Sequence, residues 1–248
     1  MKNLIFQYYI PYEGNDSRLG GQSMPKWAVK GMESAQKYAK AVGADYLMVH
    51  DKYFPELDPR LETLRIHHDP YFEKYDKVLA LDVDMTVDTR MNIFNIPIKD
   101  VAMVHENGIF QYQAGWLKGV MNVPLEQRGI IAYGKKLFGD DWMFPKSTQY
   151  PLESYRYMNG GLQLWSKTGR DKARKHFTDV HDYVIHTRYT EQMYVNLQLS
   201  QPMFEVTELD TMWNRLPSMW VFNRPDGYIN HWIGPAGKRL LEQTSCSF

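Results

Sequence analysis

Residues 77–85, Lys-Val-Leu-Ala-Leu-Asp-Val-Asp-Met, constrain the fold of this chain more than any other stretch. A short, continuous apolar run of this length reads as a strand buried on both faces of a parallel sheet. Side chains alternate along a strand, so Asp82 and Asp84 are expected on the same side where it runs out. Two adjacent carboxylates repel each other and are costly to bury unless something neutralises them. A divalent cation does so, and in open α/β sheets ligands gather outside the carboxyl ends of strands. Hard oxygen ligands suit Mg²⁺ or Mn²⁺ carrying a diphosphate. The competing reading is a solvated, acidic turn.

The flanking sequence supports the sheet. Residues 3–10 read as a first buried strand. Met24 and Pro25 open a helix whose apolar positions Trp27, Ala28, Met32, Ala35, Tyr38 and Ala39 recur at spacings of three and four, and Gly43 stops it. Residues 45–50 form a second strand, and 60–75 are expected to contain the helix leading into the Asp82 strand. This β-α-β-α-β alternation marks a parallel sheet with helices packed on it. Further strands are expected at 100–105 and 162–166, and further helices at 123–138, 168–184 (with a basic face) and 191–201. From Phe204 onwards short strands and turns are expected. His67, His68 and Asp69 look metal-like but fall within the expected 60–75 helix, where adjacent histidines point about 100° apart, so they are read as non-ligands.

Composition narrows the partners. The 29 Lys and Arg balance 29 Asp and Glu, which removes long-range attraction to nucleic acid or an anionic membrane while leaving room for a local basic groove. The single cysteine, Cys246, cannot form an internal disulfide. The first apolar run is too short for a signal peptide and no segment approaches the ~20 apolar residues needed to span a bilayer. The expectation is a soluble, cytoplasmic protein with no membrane span.

Three later segments follow the Asp-x-Asp in order. They are Met-Asn-Gly-Gly-Leu-Gln-Leu-Trp at 158–165, Tyr-Thr-Glu-Gln-Met-Tyr-Val-Asn at 189–196, and Leu-Asp-Thr-Met-Trp-Asn-Arg-Leu-Pro at 209–217 followed by Ile-Asn-His-Trp-Ile-Gly at 229–234. Together these resemble the motifs of nucleotide-sugar glycosyltransferases of the GT-A fold, in particular the glycogenin and galactosyltransferase-like enzymes of glycosyltransferase family 8. The resemblance covers roughly residues 3–240. Glu191 stands where the family usually has Asp.

The resemblance implies a single α/β, Rossmann-like domain over 1–248, a mostly parallel sheet flanked by helices, with a nucleotide-binding half (1–108) and an acceptor-binding half (109–248). It implies a metal-dependent transferase that moves a sugar from a nucleotide donor, expected to be UDP-linked, to an acceptor hydroxyl with retention. Asp82 and Asp84 would hold the metal, Asp82 also lying near the ribose, with His231 of the closing motif as third ligand. Imidazole favours Mn²⁺ over Mg²⁺. Tyr8 and Tyr9, ending the first strand, would lie by the base. Arg65, seventeen residues before Asp82, would contact the donor. Asn159 with Gly160 and Gly161 would face the donor sugar, the glycines letting the backbone come close. Glu191 would bind sugar hydroxyls and Gln192 would lie beneath the sugar. Gly234 precedes the cation expected at the diphosphate. Lys238 takes that place one residue later than the family pattern, with Arg239 beside it.

Each residue also has a structural reading: core tyrosines at a strand end, a surface arginine, a tight turn at Asn159, a histidine bonded near a turn, and an acidic first turn capped by Thr190. Trp142, Trp213 and Trp232 are candidate stacking surfaces for an acceptor sugar, against the core reading that fits most tryptophans. The acceptor is left open among a glycan, a protein hydroxyl, a lipid-linked sugar and a modified nucleobase. Were the enzyme inverting instead, Glu191 or Glu153 would be the candidate base. Two other functions compete. A sugar-phosphate nucleotidyltransferase needs a glycine-rich, basic loop after the first strand, and residues 8–13 read Tyr-Tyr-Ile-Pro-Tyr-Glu. A non-catalytic nucleotide-sugar-binding relative is opposed by the intact set of acidic, amide and imidazole residues.

Overall fold

The structure is a computed structural model, and it describes residues 1–11, 23–106, 130–147, 156–182, 190–217 and 227–244. Cys246, Glu153, residues 123–129 and the Thr190 side chain lie outside what it describes. Strand β1 (Asn3–Tyr8) pairs in parallel with β2 (Asp45–Val49) on one side and with β3 (Lys77–Leu81) on the other. Beyond β3 the order continues through β6 (Met158–Ser166), β5 (Val101–His105) and β7 (Val206–Leu209). Strand β6 runs antiparallel to both its neighbours, while β5 and β7 are parallel. A two-stranded ribbon joins β4 (Met85–Val87) to β8 (Ile229–His231).

The continuous apolar run of β3 is buried on both faces, as expected. Val78 and Ala80 enter one core with Leu4, Phe6, Met103 and Trp165. Leu79 and Leu81 enter the other with Ile5, Val104 and Leu164. Each such large apolar side chain contributes about 1.5–3 kcal/mol on burial. Helix α1 (Lys26–Val42) covers the second face through Ala35, Tyr38 and Ala39, and Gly43 ends it in the left-handed conformation.

Three segments differ from expectation. Residues 60–75 form a 3₁₀ turn (Pro59–Leu64), the short helix α2 (Arg65–His68) and a second 3₁₀ turn (Pro70–Lys74). Asp58 and Asp69 each accept a hydrogen bond from the backbone two residues on, and each precedes a proline, so the chain restarts twice rather than running as one helix. His67 lies buried in the aromatic core, its ring 4.3 Å from Trp165. Helix α3 covers Ile130–Phe138. Helix α4 (Lys167–His176), capped by Ser166, stops before the expected end because Phe177 turns into the core against Trp165 and Tyr194. Helix α5 spans Thr190–Gln198. After Phe204 the expected short strands and turns are present as β7, a 3₁₀ turn (Thr211–Asn214) and β8, but a last helix, α6 (Gly234–Gln243), follows them. Lys30 of α1 donates to the Leu241, Glu242 and Thr244 carbonyls, neutralising the C-terminal end of α6.

Candidate active site

Strand β3 ends at Leu81, and Met85 N–H donates to the Asp82 carbonyl at 3.2 Å. Asp82 and Asp84 therefore converge through a tight turn between two sheets, not through alternation along the strand as expected. Helix α1 presses on this turn. A Cβ at Gly31 would stand 2.0 Å from the Val83 carbonyl oxygen, so only glycine allows the contact. The ribbon then delivers the imidazole: Met85 pairs with His231, and Trp232 N–H donates to the Asp84 carbonyl at 2.9 Å. His231 Nε2 lies 3.3 Å from Asp84 Oδ1 and 3.6 Å from Asp82 Oδ2. The three side chains each offer a ligand atom within 4.8 Å of the others.

The donor set fits a divalent ion. Burial is the largest influence on Asp82 and pushes its pKa up to about 6 against the pull of His231, with the Asp84 charge adding to the rise. For Asp84 burial opposes ionisation, but His231 and Lys238 outweigh it and hold the carboxyl below its usual range. His231 is raised: burial works against its charge, and the Asp84 carboxylate overcomes that. Two carboxylates and one imidazole suit Mn²⁺ or Mg²⁺, the imidazole favouring Mn²⁺.

Because β6 runs antiparallel, its N-terminal end lies at the C-terminal end of β3. Gly161 accepts the Asp82 N–H at 2.8 Å, and a Cβ there would stand 2.5 Å from His231 Cε1 and 3.0 Å from Asp82 Oδ2. This glycine makes room for the carboxylate–imidazole cluster itself. Gly160 N–H donates to Gln192 Oε1 at 2.8 Å, and the Gln192 amide nitrogen donates to the buried Glu106. Four residues on, Asn196 bonds both the N–H and the carbonyl of Met158. The Glu-Gln-x-x-x-Asn spacing thus locks α5 onto the start of β6 through one face of the helix.

An open cleft lies over these elements. Tyr8, Tyr9 and Ile10 line it from the end of β1, and Trp27 from the first turn of α1. Lys238 of α6 reaches it as well, its ammonium 3.6 Å from Asp84 Oδ2 and 4.1 Å from the centre of the Trp27 ring. Arg239 is exposed. Gly234 begins α6 with φ of 67°. Glu191 also lines the cleft. Its Oε2 is buried with no hydrogen-bond partner among the described residues, and burial, with the charge of Asp82, pushes its pKa up to about 7. Tyr8 donates its hydroxyl to the Arg60 carbonyl at 3.0 Å and is raised well above its usual pKa, by burial first and then by Asp82.

The cleft thus gathers Tyr8, Tyr9, Asp82, Asp84, Glu191 and Lys238, with His231, Asn159, Gly160, Gly161 and Gln192 beneath or beside it. Arg65 is not among its lining residues. It pairs with Asp69 at 2.8 Å and Asp51 at 3.4 Å, and Arg60, held by Asp58, lines the cleft in its stead. Of the tryptophans, Trp213 and Trp232 are core, while Trp142 is partly buried and donates to Ser200 at 3.1 Å. Sequence reasoning missed Arg60, Trp27 and Glu106. Trp27 carried a visible signal, an aromatic in the first turn of a helix, but it was read as part of the buried face.

No family model matches the sequence, and no curated protein matches it. Solved structures do. A glycosyltransferase involved in the glycosylation of the major capsid of PBCV-1 superposes with a TM-score of 0.58 at 13% identity, over 98% of this chain and 100% of that one. The galactosyltransferase LgtC in complex with donor and acceptor sugar analogs gives 0.52 at 14% identity, over 94% of this chain and 87% of that one. A glutamine-to-glutamate active-site mutant of LgtC gives 0.51 at 13%, over 94% and 88%. At these identities the likeness establishes the fold, which is the GT-A fold of glycosyltransferases: a mostly parallel six-stranded sheet flanked by helices.

Proposed function

We propose that the chain is a metal-dependent glycosyltransferase, moving a sugar from a UDP-linked donor to an acceptor hydroxyl with retention of anomeric configuration. The observation that carries this reading is the Asp82–Asp84–His231 cluster at an aromatic-walled cleft that also holds Lys238. Asp82, Asp84 and His231 would hold Mn²⁺ or Mg²⁺, which when bound supplies charge neutralisation to a departing diphosphate. Tyr9 and Trp27 offer aromatic surface for the base. Lys238 adds a cation beside the metal ligands, where charge grows on the leaving phosphate.

On the sugar side, the Glu191 oxygen that has no partner among the described residues offers an acceptor to a donor such as a sugar hydroxyl. A glutamine belongs to the active site of LgtC, and Gln192 is assigned the equivalent place here. Its oxygen already accepts the Gly160 N–H and its amide nitrogen is bonded to Glu106. A neutral amide held in this way is a weak nucleophile, which favours displacement on the same face, the departing phosphate taking the acceptor proton. Among the described residues no helix is long and apolar enough to cross a membrane. The partners are then a nucleotide sugar and an acceptor hydroxyl on a glycan, protein or other compound.

Two measurements test this. Calorimetry with UDP is expected to show binding in Mn²⁺ and little in EDTA, and equal affinity in both rejects the metal reading. Proton NMR of the product's anomeric signal is expected to show the donor's configuration, and an inverted linkage rejects the mechanism.

A further inference from the structure

We infer that Asn214 is a positioning residue: a buried chain of amides running from the Gly161 backbone through Asn159 and Asn214 sets which nitrogen of His231 faces the carboxylates. The inference rests on the metal reading proposed above and extends it to residues that bind neither metal nor donor. Asn159 Oδ1 accepts the Gly161 N–H at 3.0 Å and the Asn214 Nδ2 at 2.8 Å. Asn214 Oδ1 lies 3.1 Å from His231 Nδ1. Asn214 is wholly buried, and Asn159 and His231 nearly so.

Proton placement follows from one fixed point. A backbone N–H can only donate, so the Asn159 atom facing Gly161 is its oxygen. The Asn214 atom meeting that same oxygen must then be its NH₂, which turns the Asn214 oxygen toward His231. An oxygen facing Nδ1 requires a proton on Nδ1. The Nε2 nitrogen, which faces Asp82 and Asp84, is thereby the one left to donate its lone pair to an ion. The opposite tautomer would place the proton at the ion and two lone pairs against each other at Asn214. The chain also ties Asn159, beside the glycines of β6, to the metal ligand on β8, so the two halves of the site share one hydrogen-bonded frame.

The test compares Mn²⁺ binding by wild type and Asn214→Leu, using electron paramagnetic resonance of free Mn²⁺ and a cooperative melt to show that the variant is folded. Asn214→Leu removes the oxygen at Nδ1 and is expected to weaken Mn²⁺ binding about ten-fold or more. A folded Asn214→Leu that binds like wild type overturns the inference. Nitrogen-15 NMR of the imidazole in Mg²⁺-loaded wild type decides the matter independently of variant folding. A proton on Nδ1 is expected, and a proton on Nε2 overturns the inference. Should wild type itself bind no divalent ion, the metal reading falls and the inference with it. Should wild type bind while the variant or the NMR signal disagrees, the amide chain alone falls.

Discussion

Asp84 and Glu191 are both carboxylates of one cleft, placed in opposite environments. Asp84 has His231 at 3.3 Å and Lys238 at 3.6 Å, and its pKa is held low although the side chain is largely buried. Glu191 has an oxygen with no partner among the described residues, and its pKa rises to about 7. The same energetic problem, a carboxylate removed from water, is solved once by pairing and once by retaining the proton. A group paired within the protein is stable without ligand. A group left unpaired is stabilised when a ligand arrives, and this separates the Asp84 side of the cleft, already assembled, from the Glu191 side, which a donor would complete.

The largest effect should come from breaking the assembled side. Asp84→Asn keeps the shape of the side chain and removes one ligand charge, and is expected to cost on the order of 10³-fold in Mn²⁺-dependent sugar transfer. Steady-state assays in saturating Mn²⁺ check it, and turnover within ten-fold of wild type would mean that Asp84 is not a ligand.

Next in free energy is the unpaired side. Glu191 is native with a pKa of about 7 against an ordinary value of 4.5. Between these values the unfolded chain releases the proton while the native chain keeps it. Stability from this group is therefore complete below pH 4.5, falls as pH rises towards 7, and levels off above, a loss of about 3 kcal/mol. Glu191→Gln removes that loss and is expected to melt roughly 5–10 °C above wild type at pH 8, in EDTA, with the difference vanishing near pH 4. A pH-independent difference would show that folding leaves the Glu191 pKa unshifted, so that burial does not hold its proton.

Smaller effects should sharpen the contrast. Lys238→Ala is expected to lower kcat about 10- to 100-fold with Mn²⁺ affinity little changed, because a cation near the leaving group acts mainly as charge develops. If Arg239→Ala shows that loss instead, the diphosphate cation has been misassigned. Trp27→Leu removes the ring under the Lys238 ammonium, a contact of about 0.5–2 kcal/mol. It should raise the KM for the UDP-sugar a few-fold, and a KM unchanged from wild type would exclude Trp27 from the donor site.

Elements written in local pattern were legible from the residues alone. The double-sided burial of β3, the apolar face of α1 and its stop at Gly43 all depend on neighbours within a few positions. The acidic pair was legible as chemistry, because charge is a property of the residues themselves, whereas the Asn-Gly-Gly strand start and the closing histidine were legible only through their resemblance to glycosyltransferase motifs. The helix expected over 60–75 was not, since Asp58 and Asp69 restart the chain through caps that compete with helix continuation. Arg65 was assigned by its distance along the chain from Asp82, which carries no information about which guanidinium a neighbouring carboxylate will capture; Arg65 pairs with Asp69, and Arg60, held by Asp58, lines the cleft.

By itself, then, the sequence determined which segments are buried, which chemical groups the protein possesses and the order in which they occur. Only the tertiary structure decided that β6 runs against its neighbours, that the two aspartates meet in a turn, and that the His231 imidazole is carried to them by pairing of β8 with β4. The reason is physical. An apolar run specifies burial through its own transfer free energy, but direction and partner are set by which of many distant surfaces closes the core with every backbone group bonded, and that is a property of the whole chain.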